Sequence, residues 1–170
     1  VAAMVLLAGT PAVAERHMMQ PRVPSDKLAE ARALKNPLPF SPKTVERGKA
    51  IYHGKGTCLN CHGMEGDGKG PAAAQLTPPP RDFRHHGFWR HRTEGELFWV
   101  IKHGSPGTAM AGFGSILSDE EIWSVIRYER TFAAEHGRRG MGPREGMGHG
   151  RMGPRRGMGG VGPDSSGSDE

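Results

Sequence analysis

Cysteine is nearly missing from this chain: Cys58 and Cys61 are the only two among 170 residues. A structural zinc site takes four Cys/His ligands, usually as two paired sets, and a second pair of thiols is not there. Aromatic residues make up 6%, and no nucleic-acid module or aromatic platform accompanies the formal net charge of +5. Long hydrophobic runs are lacking too. The apolar, uncharged stretch at residues 1–14, VAAMVLLAGTPAVA, falls short of the roughly 20 residues that cross a bilayer. No Ser/His/Asp set, phosphate loop or pair of catalytic carboxylates stands out. Hydrophobic residues are 35% of the chain against 26 glycines and 14 prolines, so a middle portion must carry the packed core.

The two ends read as appendages. Residues 1–14 close on Ala12-Val13-Ala14, an A-x-A cleavage signature, and fit a secretory signal peptide shortened at its front. An uncleaved anchor is the alternative, whereas a lipoprotein anchor would need a cysteine near this segment. Residues 15–40 form a polar lead-in, with a short helix expected over Leu28, Ala31 and Leu34, capped by Ser25 or Asp26 and stopped by Pro37 and Pro39. His17, Met18 and Met19 read as solvated tail. From residue 135 the chain becomes low-complexity. Residues 137–163 hold eleven glycines, six arginines and Met141, Met147, Met152 and Met158, with Gly-Met-Gly at 140–142, 146–148 and 157–159. Such a stretch has little to bury and is expected to be disordered. Thioethers with His149 offer Cu(I) soft ligands, against the plainer reading of an inert extension.

What is there is Cys58-Leu59-Asn60-Cys61-His62. The pattern C-x-x-C-H reads as a covalent c-type haem attachment. Two thiols three residues apart on a helical turn reach the two vinyl groups on one edge of a porphyrin, and the next residue, His62, is held under the iron as proximal ligand. A thioredoxin-like redox pair would want a βαβ pattern around it, which is not seen. A plain disulfide is the remaining alternative.

With this motif come Gly70-Pro71, the run GTAMAGFG at 107–114 and LSDEEIWSVIRYER at 117–130. Together they make residues 41–134 resemble a class I c-type cytochrome, a small all-α monohaem electron carrier. The resemblance covers just over half the chain. It implies crossing N- and C-terminal helices around one covalent haem c, attachment outside the cytoplasm, hence a periplasmic protein, and redox proteins as donor and acceptor. It also implies that the Pro71 carbonyl accepts the Nδ1–H of His62, a bond that would fix the ring tautomer. Residues 41–134 contain 12 Lys/Arg and 10 Asp/Glu, an excess that two haem propionates would cancel, so steering toward a partner rests on a local patch.

Three helices are expected here. The first starts with Ser41 as N-cap and Pro42 behind it, ends at Gly54, and carries Val45, Gly48 and Tyr52 on one face. Gly48 costs a helix about 1 kcal/mol against alanine, and the family's reason for it is close crossing by the last helix. That last helix opens on the capping box Ser118/Glu121 and shows Ile122, Val125, Ile126 and Phe132 as its stripe, with Tyr128 toward Gly48 and Tyr52 and Trp123 on the haem edge or its neighbours. The third begins with the capping box Thr93/Glu96 and closes at Gly104, its Leu97, Phe98, Val100 and Ile101 walling the haem pocket. Pro78, Pro79 and Pro80 read as a stiff extended segment.

Met110, in the loop between the last two helices, is the candidate sixth ligand, flanked by Gly107, Gly112 and Gly114. His/Met ligation raises the reduction potential. Family members often have Met-Pro here, whereas this chain has Met110-Ala111, which predicts a less stiff loop. His103 is the rival ligand, and Met64 lies too close to His62. His85, His86 and His91 with Arg81, Arg84, Arg90 and Arg92 read as a solvated basic loop, Arg81 or Arg84 facing a propionate. The function expected is single-electron transport. A haem enzyme or gas sensor with an open sixth site is the alternative, and a metal-handling tail is the third.

Overall fold

The structure, a computed structural model, describes residues 22–140. The apolar segment 1–14, the front of the lead-in with His17, Met18 and Met19, and the Gly/Met/Arg-rich residues from 141 onward lie outside the described residues, as do the expectations attached to them. Among the described residues every regular element is helical: α1 (Leu28–Ala33), α2 (Pro42–His53), α3 (Leu59–His62), a 3-10 turn (Ala73–Gln75), α4 (His86–Arg90), α5 (Glu94–His103) and α6 (Asp119–Gly140). This is the all-α arrangement of a small cytochrome c fold, with the first long helix crossing the last.

That crossing organises the core. Ser41 caps α2 by accepting from the Thr44 N–H, with Pro42 at the first helical position. A Cβ on Gly48 would collide with the Ser124 carbonyl, so α2 and α6 meet backbone to backbone at that point. One turn on, Tyr52, Tyr128 and Phe132 interlock with centroids 4.9–5.6 Å apart, Tyr128 edge to face with both of the others. Helix α6 opens on the expected capping box, Ser118 N–H donating to Glu121 Oε2 and Glu121 N–H to Ser118 Oγ. Ile122, Val125 and Ile126 are completely buried, and the helix runs past Ala134 to Gly140.

Helix α5 also opens on the expected capping box, Thr93 and Glu96. Its Gly95 has no room for a side chain, because a Cβ there would strike the Ala31 carbonyl. The lead-in is thus docked against α5: Ala31 and Val23 are buried, and Arg32 pairs with Glu96 at 3.3 Å. It continues onto α6, where Asn36 donates to the Trp123 carbonyl and Arg127 to that of Leu38. The expected cap of α1 is not used. Lys27 occupies the N-cap position without a side-chain bond, because its N–H closes a turn onto the Pro24 carbonyl and moves the helix start beyond Ser25 and Asp26.

Candidate cofactor site

The C-x-x-C-H stretch sits on a single helical turn. The N–H groups of Cys61 and His62 both donate to the Cys58 carbonyl, at 3.2 and 2.9 Å, a winding that brings residues three apart to one side. Thr57 enters the turn with φ +48° and Gly63 leaves it with φ +80°. Both thiols are free and partly buried. Burial, with the Glu129 carboxylate adding to it, pushes the Cys58 thiol up to about 12, so in this environment it stays protonated.

His62 is buried, and its ring lies parallel to that of Phe83 at 4.5 Å. Its Nδ1 is 3.2 Å from the Arg81 carbonyl oxygen. A carbonyl only accepts, so Nδ1–H is the donor and the lone pair is left on Nε2, the atom a metal would take. Burial also lowers the pKa of the imidazole, against a smaller opposing effect of this bond, and a neutral ring is the form that ligates. The partner is not the carbonyl of Pro71. Gly70 N–H bonds to the Cys61 carbonyl and Ala72 N–H to that of Asn60, which folds the chain back along α3 and leaves Pro71 exposed. Further along the loop, Arg81 brings its carbonyl to Nδ1 and Phe83 its ring to the imidazole face.

Beside this turn opens a cavity of about 430 Å³, within the roughly 300–1,000 Å³ of ligand sites. Cys58, Cys61 and His62 form one part of its lining, Leu97, Val100 and Ile101 of α5 another, and Met110 of the following loop a third. That loop is pinned by its backbone: Ser105 N–H donates to the Met110 carbonyl, Phe113 N–H to Ile101 and Gly114 N–H to Lys102. These bonds supply stiffness that Met110-Ala111 lacks in sequence. Arg22, Arg81 and Arg92 also line the cavity. Burial, with Arg22 and Arg92 adding to it, lowers Arg81 to about 10. Guanidiniums gathered beside an apolar chamber suit a flat apolar ring bearing two carboxylates, so the residues present fit a haem. Bound there, the group would be held by Cys58 and Cys61 through thioethers and by His62 at its iron.

The remaining sequence candidates fall elsewhere. His103 is exposed, tilted against Trp99 at 4.9 Å, and does not line the cavity. Met64 is 64% exposed. His85, His86 and His91 are exposed, and no group of three or more metal-ligating side chains forms among the described residues. Arg84 closes onto Asp82 through two hydrogen bonds of 2.9 and 2.7 Å, leaving Arg81 as the one of that pair that lines the cavity. Trp123 stacks on Phe98 at 4.2 Å rather than lining the cavity. Pro78, Pro79 and Pro80 do line it, and the Thr77–Pro78 peptide is cis.

Three charged lining residues were not legible as site residues in the sequence. Arg22 stands far from the motif in the chain, and Arg92 reads as one charge of a basic loop. Glu129 had a signal: it falls four residues after Val125 and three after Ile126, a charge inside an apolar stripe.

A family model, cytochrome C oxidase, cbb3-type, subunit III, matches residues 43–128, just over half of the chain. The chain belongs to this family of c-type cytochrome domains. The cytochrome domain implies a covalently bound haem c, with Cys58 and Cys61 at the spacing that attachment needs. Among solved structures it is similar to a chain of the Kuenenia stuttgartiensis reducing HAO-like protein complex, with a TM-score of 0.52 and 30% identity over 62% of this chain. The alignment covers 54% of that chain, so this protein matches about half of its neighbour's length. No curated protein matches it.

Proposed function

We propose that this cytochrome domain is a periplasmic carrier of single electrons, with one haem c ligated by His62 and Met110. The observation that supports it most is the shared cavity: the attachment turn, a neutral His62 with Nε2 available, and the pinned Met110 loop line one chamber. A haem bound there supplies an iron that alternates between Fe(II) and Fe(III). The chain's residues do the rest. The Arg81 carbonyl keeps the His62 tautomer and raises its basicity. Leu97, Val100 and Ile101 exclude water from the chamber, and Arg22, Arg81 and Arg92 receive the propionates. Met110 would add a thioether to the imidazole of His62 as an iron ligand, a pair that favours the reduced state. Export follows from the attachment chemistry, and the redox partners are proteins, as the likeness to a chain of a protein complex suggests.

Substituting Met110→Ala in the matured protein tests the ligation. The near-infrared charge-transfer band from thioether to ferric iron is expected to vanish while the haem stays attached. An unchanged band would remove Met110 as ligand. High-spin iron that binds CO in the unaltered protein would turn the reading toward an enzyme or sensor with an open sixth site.

A further inference from the structure

Glu129 is the one acidic residue that α6 sends into the cavity. It is 4% exposed and lines the chamber that Cys58, His62 and Met110 share. No hydrogen bond or ion pair among the described residues reaches its carboxyl, unlike the other buried glutamate of the chamber, Glu96, which Thr93 and Arg32 hold. The cations next to it on its own helix point away: Arg127 and Arg130 both pair with Glu94. An uncompensated carboxylate in such a place is costly and prefers to be neutral.

We propose that Glu129 is a proton site coupled to the electron this domain carries. Its carboxylate takes one proton from solvent when a one-electron donor reduces the haem, and it returns that proton on oxidation. The balance is ferric haem with carboxylate, plus one electron and one proton, giving ferrous haem with carboxylic acid. The inference rests on the haem reading above. Its physical basis is the sign of the charges. The ferric centre carries one more positive charge than the ferrous, so it favours the ionised carboxylate across a chamber of low dielectric. Burial alone already raises Glu129 to about 8, near enough to working pH for such a bias to move the proton.

Other charged or titratable groups face it. From α2 comes Tyr52, raised above its ordinary value chiefly by burial and further by Glu129; from the attachment turn comes Cys58, which as a thioether no longer titrates. Across the cavity stand Arg22, Arg81 and Arg92, with Glu96 from α5 and His62. The arginines stay charged, His62 is fixed by ligation, and the haem propionates beside the arginines are the one competing source of coupling.

The test is a potentiometric titration of the matured holoprotein, using redox mediators, at pH values well below and well above about 8. Glu129→Gln keeps the shape without the titration, and Glu129→Leu keeps the volume without the polarity. The unaltered protein is expected to lose potential as pH rises, by about 59 mV for each tenfold difference in proton affinity between the redox states. Both variants are expected to be flat across that range and to sit at the acid-limb potential of the unaltered protein. A flat profile in the unaltered protein would overturn the proposal. So would variants that keep its slope, since the propionates would then carry the coupling. Failure of the haem reading looks different: no haem spectrum in any of the three proteins.

Discussion

His62 is positioned by a main-chain oxygen, and that explains why the resemblance pointed to Pro71 where the fold supplies Arg81. Any residue offers a carbonyl, and which one passes the ring depends on how the loop of residues 63–85 is pulled back along α3. The side-chain bond next to it is more specific. Tyr52, fully buried, donates its hydroxyl to the Gly63 carbonyl at 2.9 Å, tying α2 to the residue that ends the attachment turn. Tyr52→Phe removes the donor and leaves the Gly63 carbonyl with only the 3.3 Å bond from the Gly66 N–H. The expected cost is about 0.5–1.5 kcal/mol of unfolding free energy, read as a lower denaturant midpoint at unchanged slope. An unmoved midpoint would show that the bond contributes nothing to holding the turn.

At the scale of elements, the α2–α6 crossing rests on one missing side chain. Gly48→Ala would place a methyl against the Ser124 carbonyl and carbon, with the Tyr128 Cβ 3.0 Å away. Both neighbours are fixed by α6, so the helices must separate and the Tyr52–Tyr128–Phe132 contacts loosen. Overpacking of this kind costs about 1–3 kcal/mol, measurable as a fall in thermal midpoint of the holoprotein; a midpoint equal to that of the unaltered protein would mean the helices do not meet this closely. This crossing was legible in sequence because a helical glycine on an apolar face asks for a reason, and the two capping boxes were legible because each needs only residues three apart. Gly95 was not, since its cause is the Ala31 carbonyl of a polar lead-in whose docking no local pattern signals. The first cap of α1 was misjudged for a similar reason: the turn at Pro24 moved the helix start.

For the whole molecule, the cavity is assembled from segments far apart in sequence, and no local pattern announces that Arg22, Arg92 and Glu129 meet at one chamber. The attachment motif did announce itself, because its chemistry is confined to five consecutive residues. Every role given to the cavity follows from a haem fixed there by Cys58 and Cys61. That is tested most directly by maturing the protein in cells able to attach haem c, extracting it with acidified acetone, and recording the optical spectrum of the extracted protein. Haem absorbance is expected to stay with the protein and to be absent from protein carrying Cys58→Ala and Cys61→Ala together. Pigment that leaves with the solvent from the unaltered protein would contradict covalent attachment.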